Sequence, residues 1–272
     1  MKDRVDKYRF DFGKNWENYI KKIGDFQINK AIESFARFNI KNKTKKTFLD
    51  IGSGSGLFSL AAHKLGYHKV VSFDYDLHSV NATRELKSIV EKNSNWQILQ
   101  GSVLNNSFLD GLGKFNVVYS WGVLHHTGDM WKAIENASQC VEKNGYLIIS
   151  IYNKQFFISS SWSYIKLFYN ISPNFVRLIL EIIYYIYFFS LGFIADIMRF
   201  KFPIKRYFNE RRGMNFFNDV KDWIGGYPYE YASPEEIEVY LKNLDFRLVK
   251  KYTVGFKLGC NEFLFQKGKY EN

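Results

Sequence analysis

Cysteine is nearly absent from this chain, and its scarcity excludes several kinds of protein. Only Cys140 and Cys260 occur in 272 residues. Two isolated cysteines cannot form the disulfide framework of a small secreted protein, and they lack the spacing of a metal site. We therefore expect a cytoplasmic protein that binds no metal.

Acidic residues are scarce relative to basic ones: 27 Asp and Glu stand against 38 Lys and Arg, a formal net charge of +11. This sign favours an anionic partner, such as a membrane surface, nucleic acid or a phosphorylated substrate, without choosing among them. A lysine-rich solvated surface would explain the charge equally well. The first residues, MKDRVDKYRF, are charged from the second position, so no secretory signal peptide is expected.

No apolar run is long enough to cross a bilayer easily. The longest, at 182–195, has 14 residues between Glu181 and Asp196, whereas a spanning helix needs about 20. A buried helix that caps the fold is the first interpretation, and a helix resting on a membrane is the second. The second interpretation draws on the basic residues that follow: Arg199, Lys201, Lys205, Arg206, Arg211 and Arg212.

Strand and helix patterns divide the chain into four parts. Residues 1–46 are polar and helical in pattern, 47–153 alternate apolar strands with helices, 154–228 form an aromatic helical insertion, and 229–272 return to a helix and a strand hairpin. Short apolar strands joined by helices are typical of a parallel sheet covered on both faces. We predict an α/β, Rossmann-like sheet with strands at 47–51, 70–74, 96–100, 115–120, 146–151, 245–254 and 260–267. Helices are predicted at 56–65, 78–91, 129–142, 158–170, 174–200, 215–223 and 233–243.

The most informative segment is FLDIGSGSGLF, residues 48–58. An apolar strand leads into Gly52, Gly54 and Gly56, and a helical pattern follows. Alternating glycines let the backbone turn tightly and approach a ligand closely. Asp74, at the end of the next predicted strand, would accept hydrogen bonds from both hydroxyls of a ribose.

The ligand of this loop is not expected to be a dinucleotide. The pattern G-x-G-x-x-G would need glycine at Leu57 or Ser59. Asp50, two residues before Gly52, would repel phosphate but would accept a hydrogen bond from an amino group. S-Adenosylmethionine offers a ribose, an ammonium group and a sulfonium cation without phosphate, and it is therefore the predicted cofactor.

Two adjacent histidines, His125 and His126, follow the fourth predicted strand, where ligands of open α/β sheets bind. Imidazole is the natural base near neutral pH, so at least one of them is predicted to act on the substrate. The alternative is that one ring caps a helix or holds the loop. Glu230, at the end of the turn-rich segment 225–230, is the next candidate base, although this segment would serve equally well as a rigid connection.

Several segments together resemble class I S-adenosylmethionine-dependent methyltransferases, in particular a bacterial family of type 11/12 related to the ubiquinone-biosynthesis O-methyltransferases. They are FDFGKNW (10–16), FLDIGSGSGLFSLAA (48–62), SFDYD (72–76), YSWGVLHHTGDMWKAI (119–134), DWIGGYPYEYASPEEI (222–237) and GCNEFLF (259–265). The resemblance implies a seven-stranded methyltransferase sheet with a helical lid over the substrate. By residue it assigns the cofactor loop to Asp50, Gly52, Gly54 and Gly56, the ribose to Asp74, the adenine position to Ser102, and the substrate side to Trp121 and His125.

The predicted function is methyl transfer to a small-molecule hydroxyl, on a lipid-like, quinone-like or sugar-like compound. Methyltransferases of exocyclic base amines carry N/D-P-P-Y/F where this chain has Ser120-Trp121-Gly122-Val123, which counts against nucleic acid as the acceptor. An RNA methyltransferase and a non-catalytic, cofactor-binding or membrane-docking protein remain alternatives. Peripheral contact with an anionic membrane is predicted, and the acceptor and the oligomeric state stay open.

Overall fold

Seven strands form one sheet in the order β3-β2-β1-β4-β5-β7-β6 in the computed structural model, which describes residues 8–20, 23–90, 94–198 and 216–268. All strands are parallel except β7, which pairs antiparallel with both β5 and β6. This is the Rossmann-like sheet that the sequence predicts. The strands are β1 (Thr47–Ile51), β2 (Lys69–Asp74), β3 (Trp96–Gln100), β4 (Phe115–Trp121), β5 (Val141–Tyr152), β6 (Phe246–Tyr252) and β7 (Cys260–Lys267).

Helices cover both faces of the sheet. Those of the described ranges are α1 (Gly13–Ile20), α2 (Asp25–Ala36), α3 (Leu57–Lys64), α4 (Leu77–Lys87), α5 (Asn106–Leu112), α6 (Met130–Gln139), α7 (Phe156–Ile171), α8 (Asn174–Ile197), α9 (Phe216–Gly225) and α10 (Pro234–Asn243). Several begin at a side chain that accepts a backbone N–H of the first turn. Ser233 and Glu236 form a reciprocal capping box at α10.

The strands bury apolar side chains on both faces. Leu49 and Ile51 of β1 belong to a core with helices α5, α6 and α10. Phe48, which directly precedes Leu49 and faces the other side of the sheet, belongs to a second core with helices α1 to α4. All three side chains are fully buried, as expected for the central strand of a doubly covered sheet.

The boundary between α6 and β5 and the presence of α5 differ from the sequence prediction. Helix α6 ends at Gln139 because Val141 already pairs with Phe115 of β4. Strand β5 therefore begins at Val141, ahead of the predicted 146–151. Helix α5 was not predicted, since its 7 residues are too few to show a helical period; its signal is Asn105, whose side chain accepts from the Phe108 N–H.

The insertion between β5 and α10 contains helices α7, α8 and α9. Helix α8 is not the buried cap helix that the sequence analysis favoured, because most of its apolar side chains are exposed. Its stretch Asn174–Ile194 has 21 residues with a mean hydropathy of 1.6, so by length and composition alone it is able to cross a bilayer. The basic cluster at 199–212 lies outside the described residues.

Candidate active site

The glycine loop lies where the sheet order reverses, between β1 and β4, which is the ligand position in open α/β sheets. The backbone N–H groups of Gly52 and Ser53 donate to the Phe73 carbonyl at 2.8 and 3.1 Å. Gly52 has a φ of 75°, and an ideal Cβ there would lie 2.4 Å from Val123. Any larger residue would therefore displace the loop after β4 from the loop after β1.

Asp74 binds the glycine loop directly. One carboxylate oxygen accepts from the Gly54 N–H and the other from the Asp76 N–H, each at 2.9 Å. Burial raises the pKa of Asp74 to about 6, although these hydrogen bonds oppose the shift. The carboxylate thus stands at the edge of the cavity with lone pairs left for the hydroxyls of a ribose.

Asp50 lies beneath the loop and is 2% exposed. Its carboxylate accepts from Ser59 Oγ at 2.5 Å, and Ser59 Oγ also lies 2.7 Å from Ser72 Oγ. Burial raises the pKa of Asp50 to about 7; the Ser59 bond opposes this shift and the charge of Asp74 adds to it. A cationic group bound nearby would favour the ionised form.

A cavity of about 1050 Å³ opens beside these residues. Eight of the ten predicted site residues line it: Asp50, Gly52, Gly54, Asp74, Ser102, Trp121, His125 and His126. Gly56 is not among the lining residues, and its assignment to the cofactor stays a prediction. A Cβ there would meet Thr83 at 2.8 Å, so this glycine allows α3 to pack against α4.

Ser102 follows β3 and lines the cavity. Its hydroxyl accepts a hydrogen bond from the Leu104 N–H at 3.2 Å. Val103 and Leu104 line the cavity beside it. An ideal Cβ on Gly101 would overlap the Phe108 ring at 2.2 Å. The strand end is therefore closed by an aromatic ring, which leaves the Ser102 region as an apolar site with one hydroxyl.

The N-terminal segment, residues 8–20, forms one side of the cavity, which sequence reasoning missed. Arg9, Phe10, Phe12, Trp16 and Tyr19 line it. The Arg9 guanidinium donates to the Thr127 carbonyl at 3.0 Å and lies 4.8 Å from the Tyr75 ring centroid. The motif FDFGKNW contributes to the family resemblance, but nothing in its own pattern indicates a ligand.

His125 and His126 line the cavity together with Tyr152 and Trp223. The His125 and Tyr152 ring centroids are 4.1 Å apart, and those of His126 and Tyr152 are 5.5 Å apart. The Nδ1–H of His126 donates to the Pro228 carbonyl at 2.6 Å, which leaves its Nε2 with the lone pair. His125 is fully buried, and within the described residues neither of its ring nitrogens has a hydrogen-bond partner.

Both imidazoles are neutral at physiological pH. Burial and the charge of Lys166 lower the pKa of His126 to about 3, and Arg9 adds to the effect. Burial, His126 and Lys166 hold the pKa of His125 well below its ordinary value. Each imidazole therefore keeps an unprotonated ring nitrogen throughout the neutral pH range.

Glu230, the next candidate base, is not among the residues that line the cavity, and its role as a base stays a prediction. One carboxylate oxygen accepts from the Gly128 N–H at 2.9 Å and the other from the Met130 N–H at 3.1 Å. Glu230 thus caps the start of α6, and its backbone N–H donates to the His125 carbonyl at 3.0 Å.

Lys166 on α7 is an unexpected feature beneath the histidines. It is fully buried, and its Nζ donates to the Trp223 carbonyl. The ammonium lies 4.8 Å from the Trp223 ring centroid and 5.0 Å from that of Tyr229. Burial lowers the pKa of Lys166 to about 7, and Asp222 and Cys260 oppose the shift. No motif signals it, because its burial depends on the packing of α7 against α9.

The geometry fits the cofactor predicted from the sequence. Gly122 lines the cavity with a φ of 74°, and an ideal Cβ on it meets nothing within 4 Å. The glycine thus leaves open space between the loop and the histidines. Asp74 would hold a ribose and Asp50 an ammonium group. Among the described residues no group of three His, Cys, Asp or Glu side chains is placed to hold a metal ion.

Comparison with known proteins gives sequence relatives over part of the chain. Ribosomal protein L11 methyltransferase of Staphylococcus haemolyticus is 30% identical over 121 residues, 44% of this chain and 35% of the relative. tRNA U34 carboxymethyltransferase of Campylobacter concisus is 23% identical over 131 residues, 47% of this chain and 44% of the relative. The chain thus spans about a third to a half of the length of these curated relatives.

The fold has solved counterparts over nearly the whole chain. Magnesium protoporphyrin IX methyltransferase from Synechocystis PCC 6803, solved with bound SAH, is similar with a TM-score of 0.55 and 12% identity, covering 94% of each chain. A model of the methyltransferase domain matches residues 24–251. With the fold, the glycine loop and Asp74 all in agreement, the chain belongs to the methyltransferase-domain family of class I S-adenosylmethionine-dependent enzymes.

Proposed function

We propose that this protein transfers a methyl group from S-adenosylmethionine to a hydroxyl of a small amphiphilic molecule, of a lipid-like, quinone-like or sugar-like kind. The observation that carries the proposal is the aromatic end of the cavity. Tyr152 packs against both histidines and against Trp223, and Trp121 also lines the cavity. An enclosed aromatic site with few polar groups suits a small molecule with an apolar body.

Bound S-adenosylmethionine supplies an electrophilic methyl group on a sulfonium. The protein's task is then to hold the acceptor hydroxyl in line with that group at contact distance. Asp74 and Asp50 fix the cofactor end, and the aromatic rings orient the acceptor from the other end. The Nε2 of His126, with its lone pair free of the Pro228 bond, accepts the proton that the hydroxyl releases.

We propose that the helical insertion acts as a lid over the acceptor site. Asp222 and Trp223 of α9 line the cavity, so this part of the insertion is in reach of the acceptor. Covering the site excludes water from a reaction that disperses charge. Cys140, which is buried, and Cys260, which is half-buried, form no disulfide, which is consistent with a cytoplasmic protein.

A transfer assay with methyl-labelled S-adenosylmethionine tests the proposal. The purified protein is given three acceptor pools from cells: a lipid extract, total RNA and ribosomal protein. We expect label in the lipid extract, and its loss in the Asp74→Asn variant but not in Asp110→Asn, an exposed control on α5. Label in RNA or ribosomal protein alone would overturn the choice of acceptor. Cofactor binding without transfer to any pool would favour the non-catalytic alternative.

A further inference from the structure

Helix α8 turns its acidic side toward the protein and its apolar side outward. Over positions 178–198 the only charged residues are Glu181 and Asp196, and they are 8% and 3% exposed. Glu181 accepts from the Tyr169 hydroxyl on α7 at 2.7 Å and lies 3.4 Å from Nζ of Lys221 on α9. A helix at a water-facing surface has the opposite arrangement, with its charges outward.

The outer face of α8 consists of large apolar side chains that are each more than half exposed. They are Leu178, Ile179, Ile183, Ile186, Tyr187 and Ile194. Scattered apolar residues are normal on protein surfaces, but a contiguous patch along a whole helix marks an interaction site. We use the name outer face for these residues.

Helix α7 extends this surface. Phe157, Tyr164 and Phe168 on α7 are all more than half exposed. The opposite sides of both helices pack inward, where Tyr169 and Tyr184 join a small core with α9. The exposed sides of α7 and α8 are therefore both turned away from α9.

The surface is connected to the mouth of the cavity by the β6–β7 hairpin. Val254 and Leu258 of its tip line the cavity, while Phe256 between them is fully exposed. Asn153, at the end of β5, donates to the Gly255 carbonyl at 2.7 Å, which holds the tip beside the start of α7. A molecule that leaves the apolar surface would thus meet the cavity directly.

The charges near this apolar surface distinguish between two possible binding partners, a lipid leaflet and a second copy of the chain. Lys257 is exposed between Phe256 and Leu258, and positions 199–212, known here by sequence alone, carry six Lys and Arg against one Glu. Apolar side chains flanked by basic ones match an anionic lipid leaflet. A second copy of the chain that docked through the same surface would bring the same basic residues against these, and like charges repel.

We propose that α7, α8 and the β6–β7 hairpin tip dock on an anionic lipid surface, and that the acceptor is an amphiphile that enters the cavity from that surface. The docking stands independently, and the entry of the acceptor rests on the proposed function. Helix α8 lies in the plane of the interface. If it crossed the bilayer, Glu181 and Asp196 would lose their protein environment to lipid.

Flotation with vesicles tests the docking. The vesicles contain phosphatidylcholine alone or with about one third phosphatidylglycerol. The test variant carries Ile179→Glu and Ile186→Glu on the outer face. The matched control carries Ile89→Glu and Val239→Glu, which make the same charge change at exposed apolar residues elsewhere.

We expect the unmodified protein and the control variant to bind the anionic vesicles. The test variant should bind them at least about tenfold more weakly, and salt should reduce the binding of all three proteins. Equal binding of the test variant, no binding to anionic vesicles, or a dimer that the test variant dissociates would each overturn the docking. Calorimetry with S-adenosylhomocysteine runs in parallel. Intact binding of this ligand alongside failed flotation would overturn the docking alone, and its absence would instead overturn the proposed function.

Discussion

The backbone N–H of Gly13 donates to Oδ2 of Asp76 at 3.1 Å, and this contact ties the N-terminal segment to the strand end that carries Asp74. Asp76 also caps α4 through the His78 N–H at 2.7 Å. Residues 8–20 therefore belong to the cofactor end of the cavity, although they precede the matched methyltransferase domain at 24–251.

Replacing Gly13 with alanine is expected to weaken cofactor binding. An ideal Cβ at this position lies 2.4 Å from Asp76 Oδ2, so either the Asp76 carboxylate or the N-terminal segment must shift, and the Gly13 hydrogen bond is lost in both cases. We expect the free energy of S-adenosylhomocysteine binding to fall by about 1–2 kcal/mol, the scale of one lost hydrogen bond and its neighbouring contacts. Calorimetry measures this. Gly24→Ala is the control, since its Cβ meets nothing closer than 3.7 Å; equal affinity of the two variants would refute the role of the segment.

Cofactor affinity is expected to rise between pH 5 and pH 7. The pKa values of Asp74 and Asp50 are raised to about 6 and about 7, so both carboxyls are largely protonated at pH 5 and ionise as the pH rises. The ionised forms attract the ammonium and sulfonium cations of S-adenosylmethionine. Asp74→Asn should cost about 1–3 kcal/mol at pH 7 and should flatten part of the pH dependence. A pH-independent affinity in the unmodified protein would contradict this account.

His126→Gln is expected to reduce turnover by about 10²–10⁴-fold, the usual contribution of a positioned base. Binding of S-adenosylhomocysteine should be unchanged, because the ring of His126 is hydrogen-bonded to the Pro228 carbonyl and not to the glycine loop. Since the pKa of His126 is about 3, turnover at saturating S-adenosylmethionine should lack a titration step near pH 6.5 that depends on His126. Such a step, or full activity of the variant, would argue against His126 as the base. His68→Gln, at an exposed histidine, is the control.

Lys166→Met is expected to stabilise the protein by about 1–3 kcal/mol at pH 7, since a buried cation is costly and apolar replacements are tolerated. The pKa of Lys166 falls from 10.5 to about 7 on folding, so the unfolded chain binds more protons between these values. The stability of the unmodified protein therefore falls as the pH drops from 10.5 to 7. Urea unfolding at pH 7 and pH 10 should show the gain shrinking at the higher pH. A variant less stable at both values would show that the ammonium is favourable where it lies.

Much of the cofactor site was predictable from sequence because its determinants are local. The FLDIGSGSGLF segment requires a strand, a left-handed turn and a helix in direct succession, and Asp74 ends the next strand. Each of these features follows from a few neighbouring residues. The strands of the sheet were predictable for the same reason, because the pattern of apolar residues within each strand is local.

The remaining residues depend on contacts between distant parts of the chain. Lys166 is buried only because α7 packs on α9, 57 positions away at Trp223. Glu230 is the next candidate base in the sequence because its turn lies near the site, and the sequence does not reveal that its carboxylate caps α6, about 100 positions earlier. The exposure of α8 was missed because its composition is that of a buried helix, and composition does not reveal what lies against each face.

The ends of the insertion are held together, and this has a consequence for how the protein could be altered. Lys154 N–H donates to the Ala232 carbonyl at 3.2 Å, and Ala232 N–H donates to the Tyr152 carbonyl at 3.1 Å. Positions 155–231 thus leave and rejoin the sheet at neighbouring points, as grafted loops and inserted domains do. The insertion could therefore be exchanged for that of a related protein. We expect the chimera to keep the cofactor site and to take the acceptor preference of the donor. The new insertion would have to supply a carboxylate in place of Glu230 at the start of α6 and a carbonyl in place of Pro228 for His126.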